Sequence, residues 1–487
     1  MNGSQMTSPN GFDLSAAARQ EMLEHGFEPD FPPEVESQLA GIAAQPVDGA
    51  LKDLTALLWS SIDNDDSRDL DQIEWAERAA GGIRVLVAIA DVDSLVPRST
   101  PIDTHAARET TTVYAAIRTF PMLPEKLSTD LTSLSEGALR PSIVIEMLVS
   151  ADGSIASSGT YPALVRNRAQ LTYSAVGPWL EGTAAAPGKI AASAPLQAQL
   201  KLQDEAAQAL RAARHRLGAL TFDRAEAQPV ITNGQVRDIG ARFANRASQL
   251  IEDFMIGANE VMARRLRDAG VSSIRRVVKA PERWARIVDL AEQYGDKLPP
   301  EPDAGALNAF LMRRKQADAV HYADVSLSVL KLMGPGEYVA SRPGDTGQGH
   351  FGLAAQDYTH STAPNRRFAD LVTQRLLKAL AAKAAPPYTD DELDAIARNC
   401  TLKEDAARKV QRDMIKRIAA VALQHRVGQS FSAVVTGVTP KGVFVRIVDP
   451  PVEGRLMRGD HGVDVGDRMQ VTLLGADPQR GFIDFGR

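Results

Sequence analysis

The sequence predicts an α+β protein: a large mixed helix and strand domain, a short helical region in front of it, and a small closed β-barrel of the OB type behind it. Three observations carry this. The chain has 487 residues and a mass of 52.4 kDa, which is more than one hydrophobic core usually organises. Between residue 57 and about residue 383, apolar strand-like runs such as 83–92 and 143–149 interleave irregularly with helix-period stretches such as 244–268 and 367–382. From Val427 onward the pattern changes to SFSAVVTGV, GVFVRIV, RMQVTLLGA and GFIDF, β-rich runs separated by turns containing Gly, Pro or Asp.

In chain order, residues 1–50 read as a small helical region. Leu14, Met22 and Leu23 give a partial apolar face, Pro32 and Pro33 interrupt it, and Val35 to Ile42 resumes it. A structural cap and a helix-turn-helix nucleic-acid binder both fit this pattern, and the sequence does not separate them. Residues 51–384 form the main domain, with an Ala-, Gly- and Pro-rich loop at 184–194. Residues 385–426 are helical and charged and complete that domain, and 427–487 form the barrel. No internal repeat or low-complexity tract interrupts this order.

Composition excludes several classes. With 44% hydrophobic and 24% charged residues the chain is an ordinary globular one. No apolar stretch approaches the roughly 18 residues needed to span a bilayer, and the first residues lack a basic start followed by an apolar core, so no membrane is expected. Cys400 is the single cysteine, which rules out an intrachain disulfide or a multi-cysteine zinc site and suits a cytoplasmic location. The net charge of -6 argues against a uniformly cationic nucleic-acid coat. Local enrichment in Lys and Arg at 264–279 and 403–426 leaves two readings open, a basic channel or a solvated helix face.

The most informative segment is SIDNDDSRDLDQ at 61–72, where carboxylates crowd a loop between apolar flanks. Clustered anions repel unless neutralised, and a hard cation such as Mg²⁺ does so through oxygen ligands. A solvated acidic turn is one alternative. A calcium loop of EF-hand type is another, with Asp63, Asp65, Ser67, Leu70 and Glu74 at positions one, three, five, eight and twelve; it fails at position six, where Arg68 stands in place of glycine. His350 and His360 do not form a zinc motif, and neither a nucleophile elbow nor a Walker loop is present.

Several separated blocks together resemble the catalytic (RNB) domain of the ribonuclease II and ribonuclease R family of 3′-to-5′ exoribonucleases. They are SIDNDDSRDLDQ, VAIADV, FPMLPEKLSTDLTSL, QLIEDFMIGAN and GHFGLAAQDYTHSTAPNRRFADL. The tail is similar to an S1 RNA-binding domain through VGQSFSAVVTGVTPKGVFVRI, Glu453-Gly454 and VGDRMQVTLLG. The family's usual paired cold-shock barrels are not expected in the residues ahead of this domain, which read only as the short helical stretch.

The resemblance implies a Mg²⁺-dependent, processive hydrolase of single-stranded RNA, expected to act as a monomer and to release nucleoside 5′-monophosphates. Asp63, Asp69 and Asp71 fall on three of the four active-site aspartates of the family, and Gln72 replaces the fourth, so Asp63, Asp69, Asp71 and Gln72 are the expected metal-positioning set. That replacement also opens a second reading, an RNA-binding relative with impaired catalysis. Arg366 matches the arginine that contacts the scissile phosphate. Tyr114 and Phe222 match the aromatic pair that clamps the last nucleotides, and Tyr173 and Glu252 match positions near the terminal ribose. In the barrel, Phe431 and Phe444 occupy positions where S1-type barrels present aromatic rings to RNA, with a core position the alternative for at least one of them, and His461 and Arg480 are weaker candidates for the same face.

Overall fold

In the computed structural model, residues 12–43, 51–222, 226–232, 235–318, 322–346, 349–440 and 442–487 are described. The front consists of α1 (Leu14–Glu24), capped by the Asp13 carboxylate, which accepts from Ser15 N and Ala16 N, and α2 (Pro33–Gly41), which starts on a proline. The main domain begins with β1 (Lys52–Asp53), β2 (Trp59–Asp63), β3 (Gln72–Ala79) and β4 (Gly82–Ala90). Then come α3 (Pro101–Glu109), the short pair β5 (Val113–Tyr114) and β6 (Thr119–Phe120), a π-helical turn Lys126–Leu131, β7 (Leu139–Val149) and the long β8 (Ile155–Thr172).

The order β1-β8-β2-β3-β4-β7, with β7 also pairing with β8, curls the six strands into a nearly closed wall. The apolar runs of β3 and β4 are buried on both faces, which is why they read as continuous rather than alternating. Their hairpin needs glycine: at Gly82, with φ +157°, a Cβ would lie 2.0 Å from the carbonyl oxygen of Val149.

Helices cover this wall: α4 (Tyr173–Leu180), the short α5 (Gly188–Ala191) inside the predicted Ala/Gly/Pro loop, and α6 (Ala194–Arg216). After the hairpin of β9 (Glu226–Thr232) and β10 (Gln235–Arg242) comes α7 (Arg246–Asp268), opened by an Asn245–Ser248 capping box. The pair α6 and α7 is locked by Arg211 and Arg214 on buried Asp253, and by Arg246 on Asp204. Next are β11 (Ser273–Val277), three helices α8 (Trp284–Gln293), α9 (Ala304–Ala317) and α10 (Tyr322–Leu332) around Trp284, Phe310 and Tyr322, and β12 (Glu337–Ser341). The domain closes with α11 (Phe368–Ala381) and the 34-residue α12 (Asp390–Leu423), whose first turn carries a Thr389–Glu392 capping box.

The tail forms β13 (Ser430–Thr439), β14 (Gly442–Ile447), β15 (Glu453–Arg458), β16 (Arg468–Asp477) and β17 (Phe482–Gly486), closed as β13-β14-β15-β17-β16, the five-stranded OB-like barrel expected from the sequence. Its core is continuous with α1 and α12 through Leu14, Met22, Val410, Met414, Ile418 and Phe485.

The two front helices pack on different elements, α1 on α12 and α2 on α3, so they do not form the helix pair of a helix-turn-helix. Glu21 of α1 is buried and takes Arg417 of α12, while Gln38 of α2 accepts from Ile102 N. The basic stretches are largely consumed internally: Arg267 pairs with Asp268 and Asp357, Arg276 with Glu404, Lys279 with Glu337, Lys403 with Glu109. His350 and His360 are ring neighbours of Tyr358, and burial holds both imidazoles below their ordinary pKa, His350 at about 4.

Candidate active site

The acidic segment is a strand-to-strand connection, not the helix-flanked loop of an EF-hand. It leaves the end of β2, which runs parallel to β8 with Asp63 opposite Thr172, and returns into β3 at Gln72, with Ser60 paired to Glu74. Leu70 anchors it, being 1% exposed in the main core. Asp63 stiffens the turn by accepting from Asn64 N and Ser67 Oγ, both at 2.8 Å, and Asp65 accepts from Ser174 Oγ at 2.5 Å. Ser133, just past the π-helical turn, clamps the other side: its hydroxyl donates to Arg68 O at 2.7 Å and accepts from Leu70 N at 3.1 Å.

A second loop, 363–367, meets this one. Asp370 in the first turn of α11 takes Ala363 N and both Nε and Nη2 of Arg367, which fixes the loop backbone. The next residue back, Arg366, is thereby aimed at the acids: its Nε donates to Asp71 Oδ2 at 2.7 Å and stands 4.0 Å from Asp69 Oδ2. Asp71 is fully buried, and its other oxygen accepts from Asn365 N at 3.0 Å. Burial pushes the Asp71 carboxyl up to about 6, with Arg366 opposing, and raises Asp69 for the same reason. Tyr114 completes the group, its phenol donating to Asp69 Oδ2 at 3.4 Å with the ring partly open to solvent; burial of the hydroxyl raises it to about 12.

Thus the fold brings together Asp63, Asp69, Asp71, Arg366 and Tyr114. Gln72 is buried at the start of β3, beside Asp71 in sequence. Tyr173 opens α4, half-buried against the main core, with its carbonyl held by Asn245 Nδ2. Glu252 lies on an exposed face of α7 and pairs with Arg211 at 3.2 Å. Phe222 packs half-buried against the Trp284, Phe310 and Tyr322 cluster.

The barrel requires one correction. Phe431 is 6% exposed and sits in the barrel core under the Arg426 guanidinium, 4.6 Å from its ring centroid, so it presents no face to RNA. Phe444 is half-exposed on β14 opposite Arg455. His461 is exposed, and Arg480 is exposed with its Nε 4.0 Å from Asp477.

A divalent cation fits this donor set. Besides the carboxylates, Asn64 Oδ1, next to Asp63 in the chain, is buried and without a hydrogen-bond partner, a hard oxygen donor. Asp69 and Asp71 are spaced by the Arg366 guanidinium. Among the described residues the only trio of His, Cys, Asp or Glu whose ligand atoms lie within 4.8 Å of one another is Glu21, His25 and Asp413, between α1 and α12, where Glu21 already serves Arg417.

Sequence reasoning missed Thr132 and Asn365. Thr132 Oγ1 donates to Asn365 Oδ1 at 2.6 Å, both side chains being buried, and this bond ties the arginine loop to the clamp that grips Arg68 and Leu70. Both residues stood inside the quoted blocks, but only contact across 233 positions reveals their pairing. Asn365→Leu is expected to lower kcat on oligo(A) about tenfold with KM little changed, because the loop loses register rather than substrate contacts. Thr132→Val should do the same, and the double variant should fall no further than either alone. Additive losses in steady-state kinetics would show that the bond does not couple the loops.

The fold and the paired acidic and arginine loops define a class. The model of the RNB domain matches residues 51–383, and that of the RNase II-type exonuclease C-terminal S1 domain matches 429–487. The chain belongs to the RNB family. It is 29% identical to Ribonuclease R of Thermotoga maritima, over 97% of this chain and 69% of that protein, and 30% identical to Ribonuclease R of Escherichia coli, over 93% and 60%. Exoribonuclease 2 of Cronobacter sakazakii is 30% identical over 84% and 63%. The chain therefore spans only about 60 to 69% of the length of these curated relatives.

Among solved structures, Mycoplasma genitalium RNase R in complex with ribose methylated single-stranded RNA superposes with a TM-score of 0.87 at 22% identity, over 97% of this chain and 78% of that one. Yeast Ssd1, described as a pseudonuclease, gives 0.72 at 17% identity, over 91% and 56%. At such identities these likenesses show the shared fold.

Proposed function

We propose that the protein is a 3′-to-5′ exoribonuclease that processively hydrolyses single-stranded RNA to nucleoside 5′-monophosphates with Mg²⁺, acting as a cytoplasmic monomer. The observation that carries this reading is the buried Asp71–Arg366 pair flanked by Asp63, Asp69 and Tyr114, in a chain of the RNB family. In the reaction, a water oxygen bonds to phosphorus and the P–O3′ bond breaks. The departing 3′ oxygen takes a proton, leaving a shortened strand with a new 3′ hydroxyl.

A bound divalent cation, held by Asp63, Asp69, Asp71 and the Gln72 amide oxygen, would supply charge neutralisation and an acidified water. This chain's own residues do the rest. Asp71 orients Arg366 through Nε, leaving the terminal guanidinium nitrogens for phosphate oxygens, a planar arrangement suited to bidentate donation. The half-open ring of Tyr114 offers a stacking face for a terminal base irrespective of its identity. Phe222, Tyr173 and Glu252 are proposed as further contacts to the terminal nucleotides, and Phe444 of the barrel as a contact upstream.

Radiolabelled oligo(A) should yield 5′-AMP from its 3′ end in Mg²⁺, and chelation should stop the reaction. An all-deoxy strand should bind yet be cut at least about tenfold more slowly, since contacts to the ribose hydroxyl are lost. Equal turnover of both strands would remove hydroxyl recognition from this account. A second reading is favoured by Gln72 standing where the family has an aspartate: an RNA-binding protein with impaired catalysis. Binding of oligo(A) without any Mg²⁺-dependent release of 5′-AMP would establish that reading instead.

A further inference from the structure

Two cations of the basic stretch 264–279 remain without a counter-charge. Arg267, Arg275, Arg276 and Lys279 are taken by carboxylates from other segments. No carboxylate among the described residues forms an ion pair with Arg264 or Arg265, and Arg265 Nε is buried without an acceptor. Glu260, one turn before Arg264, acts on it electrostatically without pairing, and burial raises that carboxyl above its ordinary pKa.

Positions 261, 264, 265 and 268 follow the i, i+3, i+4, i+7 spacing, so Val261, Arg264, Arg265 and Asp268 share one face of α7. That face lines a cleft of about 560 Å³ together with Ser157, Ser158 and Gly159 from the start of β8 and Leu380 from the end of α11. β7 pairs with one edge of β8 from Ile155 onward, but the other edge takes β1 only at Ala163 and β2 only at Asn167. Main-chain donors and acceptors ahead of Ala163 are therefore open on that side. Asp268 is the one acid in the lining, and its Oδ1 is already spent on Arg267 Nε and Nη2, at 2.9 and 2.7 Å. The acidic loop is far away: Asp63 meets β8 at Thr172, roughly 40 Å of strand contour beyond Gly159.

Two guanidinium groups on one cleft suit the charge of about −2 carried by a phosphomonoester, and their planar forks fit its oxygens. Bare phosphate would leave most of the space empty. A nucleoside would occupy it, with Ile155, Val261 and Leu380 offering apolar surface to the base or sugar and the open edge of β8 offering hydrogen bonds to the base rim. A longer RNA would find only these two unpaired cations, where backbone binding needs a run of them.

We propose that the cleft between β8 and α7 is a second ligand site, remote from the acidic loop, which binds a nucleoside 5′-monophosphate through Arg264 and Arg265. The inference goes beyond the exonuclease reading and does not depend on it.

The test is calorimetric titration of 5′-AMP into the full-length, RNA-free protein in EDTA, where no divalent cation can hold a phosphate at the acidic loop. One 5′-AMP should bind per chain. Replacing both arginines, Arg264→Gln with Arg265→Gln, should weaken it at least about tenfold. Adenosine should not compete, inorganic phosphate should compete at least about tenfold less tightly than 5′-AMP, and Asp71→Asn should bind 5′-AMP as the parent does. Irradiated 8-azido-AMP should label peptides containing 155–159 or 261–269 in the parent, a readout that needs no variant to fold.

The proposal is overturned if the parent binds no 5′-AMP at millimolar concentration, or if the double variant binds it unchanged. Label confined to the acidic loop, or affinity lost in Asp71→Asn instead, would place the nucleotide in the active site and overturn it too. Phosphate binding as tightly as 5′-AMP would reduce the cleft to an anion site, and oligo(A) losing as much affinity as 5′-AMP in the double variant would make it an RNA contact. Each result is read without turnover, so it stands apart from the release of 5′-AMP that judges the enzymatic reading.

Discussion

Asp71→Asn is expected to lower kcat for oligo(A) by about a thousandfold or more while leaving RNA binding within a few-fold of the parent, the signature of a group needed in the transition state rather than for substrate capture. The reason lies in what Asp71 holds. Its Oδ2 takes Arg366 Nε and its Oδ1 takes Asn365 N, so one fully buried carboxylate orders both the guanidinium and the loop that carries it. The amide can still accept one of these bonds, but it brings no charge to offset a buried guanidinium.

Removing one partner of such a pair costs about 3 to 5 kcal/mol. A fall in Tm should therefore accompany the loss of rate, and single-turnover assays on the folded fraction separate the two. If the variant digests oligo(A) at the parental rate, the acidic loop is not the catalytic centre.

Arg366→Lys is expected to cost about a hundredfold in kcat/KM despite keeping the positive charge. Lysine can meet Asp71 or a phosphate, but its single ammonium cannot serve Asp71 through one edge and a phosphate through another, as a guanidinium does. Arg366→Ala should lose more, and also destabilise, since Asp71 would then be buried without its cation. A lysine variant that keeps parental kcat/KM would show that Arg366 acts only as a point charge. The neighbouring Arg367 is a useful control: its guanidinium is spent on Asp370, so substituting it should disturb the loop and stability before any phosphate contact.

The chemistry of the site was legible in local sequence because it is concentrated there. Asp63, Asp69 and Asp71 lie within nine residues, and Arg366 sits in a distinctive stretch. The structure joins these two segments at Asp71, which accepts from both Arg366 Nε and Asn365 N. The barrel was legible too, since short alternating runs with turn residues leave few other ways to close about 60 residues.

Alternation alone, however, tells which residues share a face and not which face is inside. Phe431 and Phe444 read alike in sequence. Register places Phe431 opposite Val471 in the core and Phe444 opposite Arg455 at the surface. The basic stretches show the same ambiguity: in sequence Arg267, Arg276 and Lys279 are a cationic run, and in the fold their partners Asp357, Glu404 and Glu337 arrive from other segments.

The sequence by itself determined the α+β class, the order of domain and barrel and the acidic loop, because composition, periodicity and clustered charge are local properties; its arginine, Arg366, was implied only by the family resemblance of the stretch that carries it. Only the tertiary structure decided that the front helices pack separately on α12 and α3, that Thr132 and Asn365 bind the two loops together, and that Arg264 and Arg265 line a cleft beside β8 with no carboxylate to pair with. Each of these depends on which groups from distant segments come within a few ångströms. Burial turns such proximity into energy, since a polar atom withdrawn from water depends on whatever partners the fold supplies.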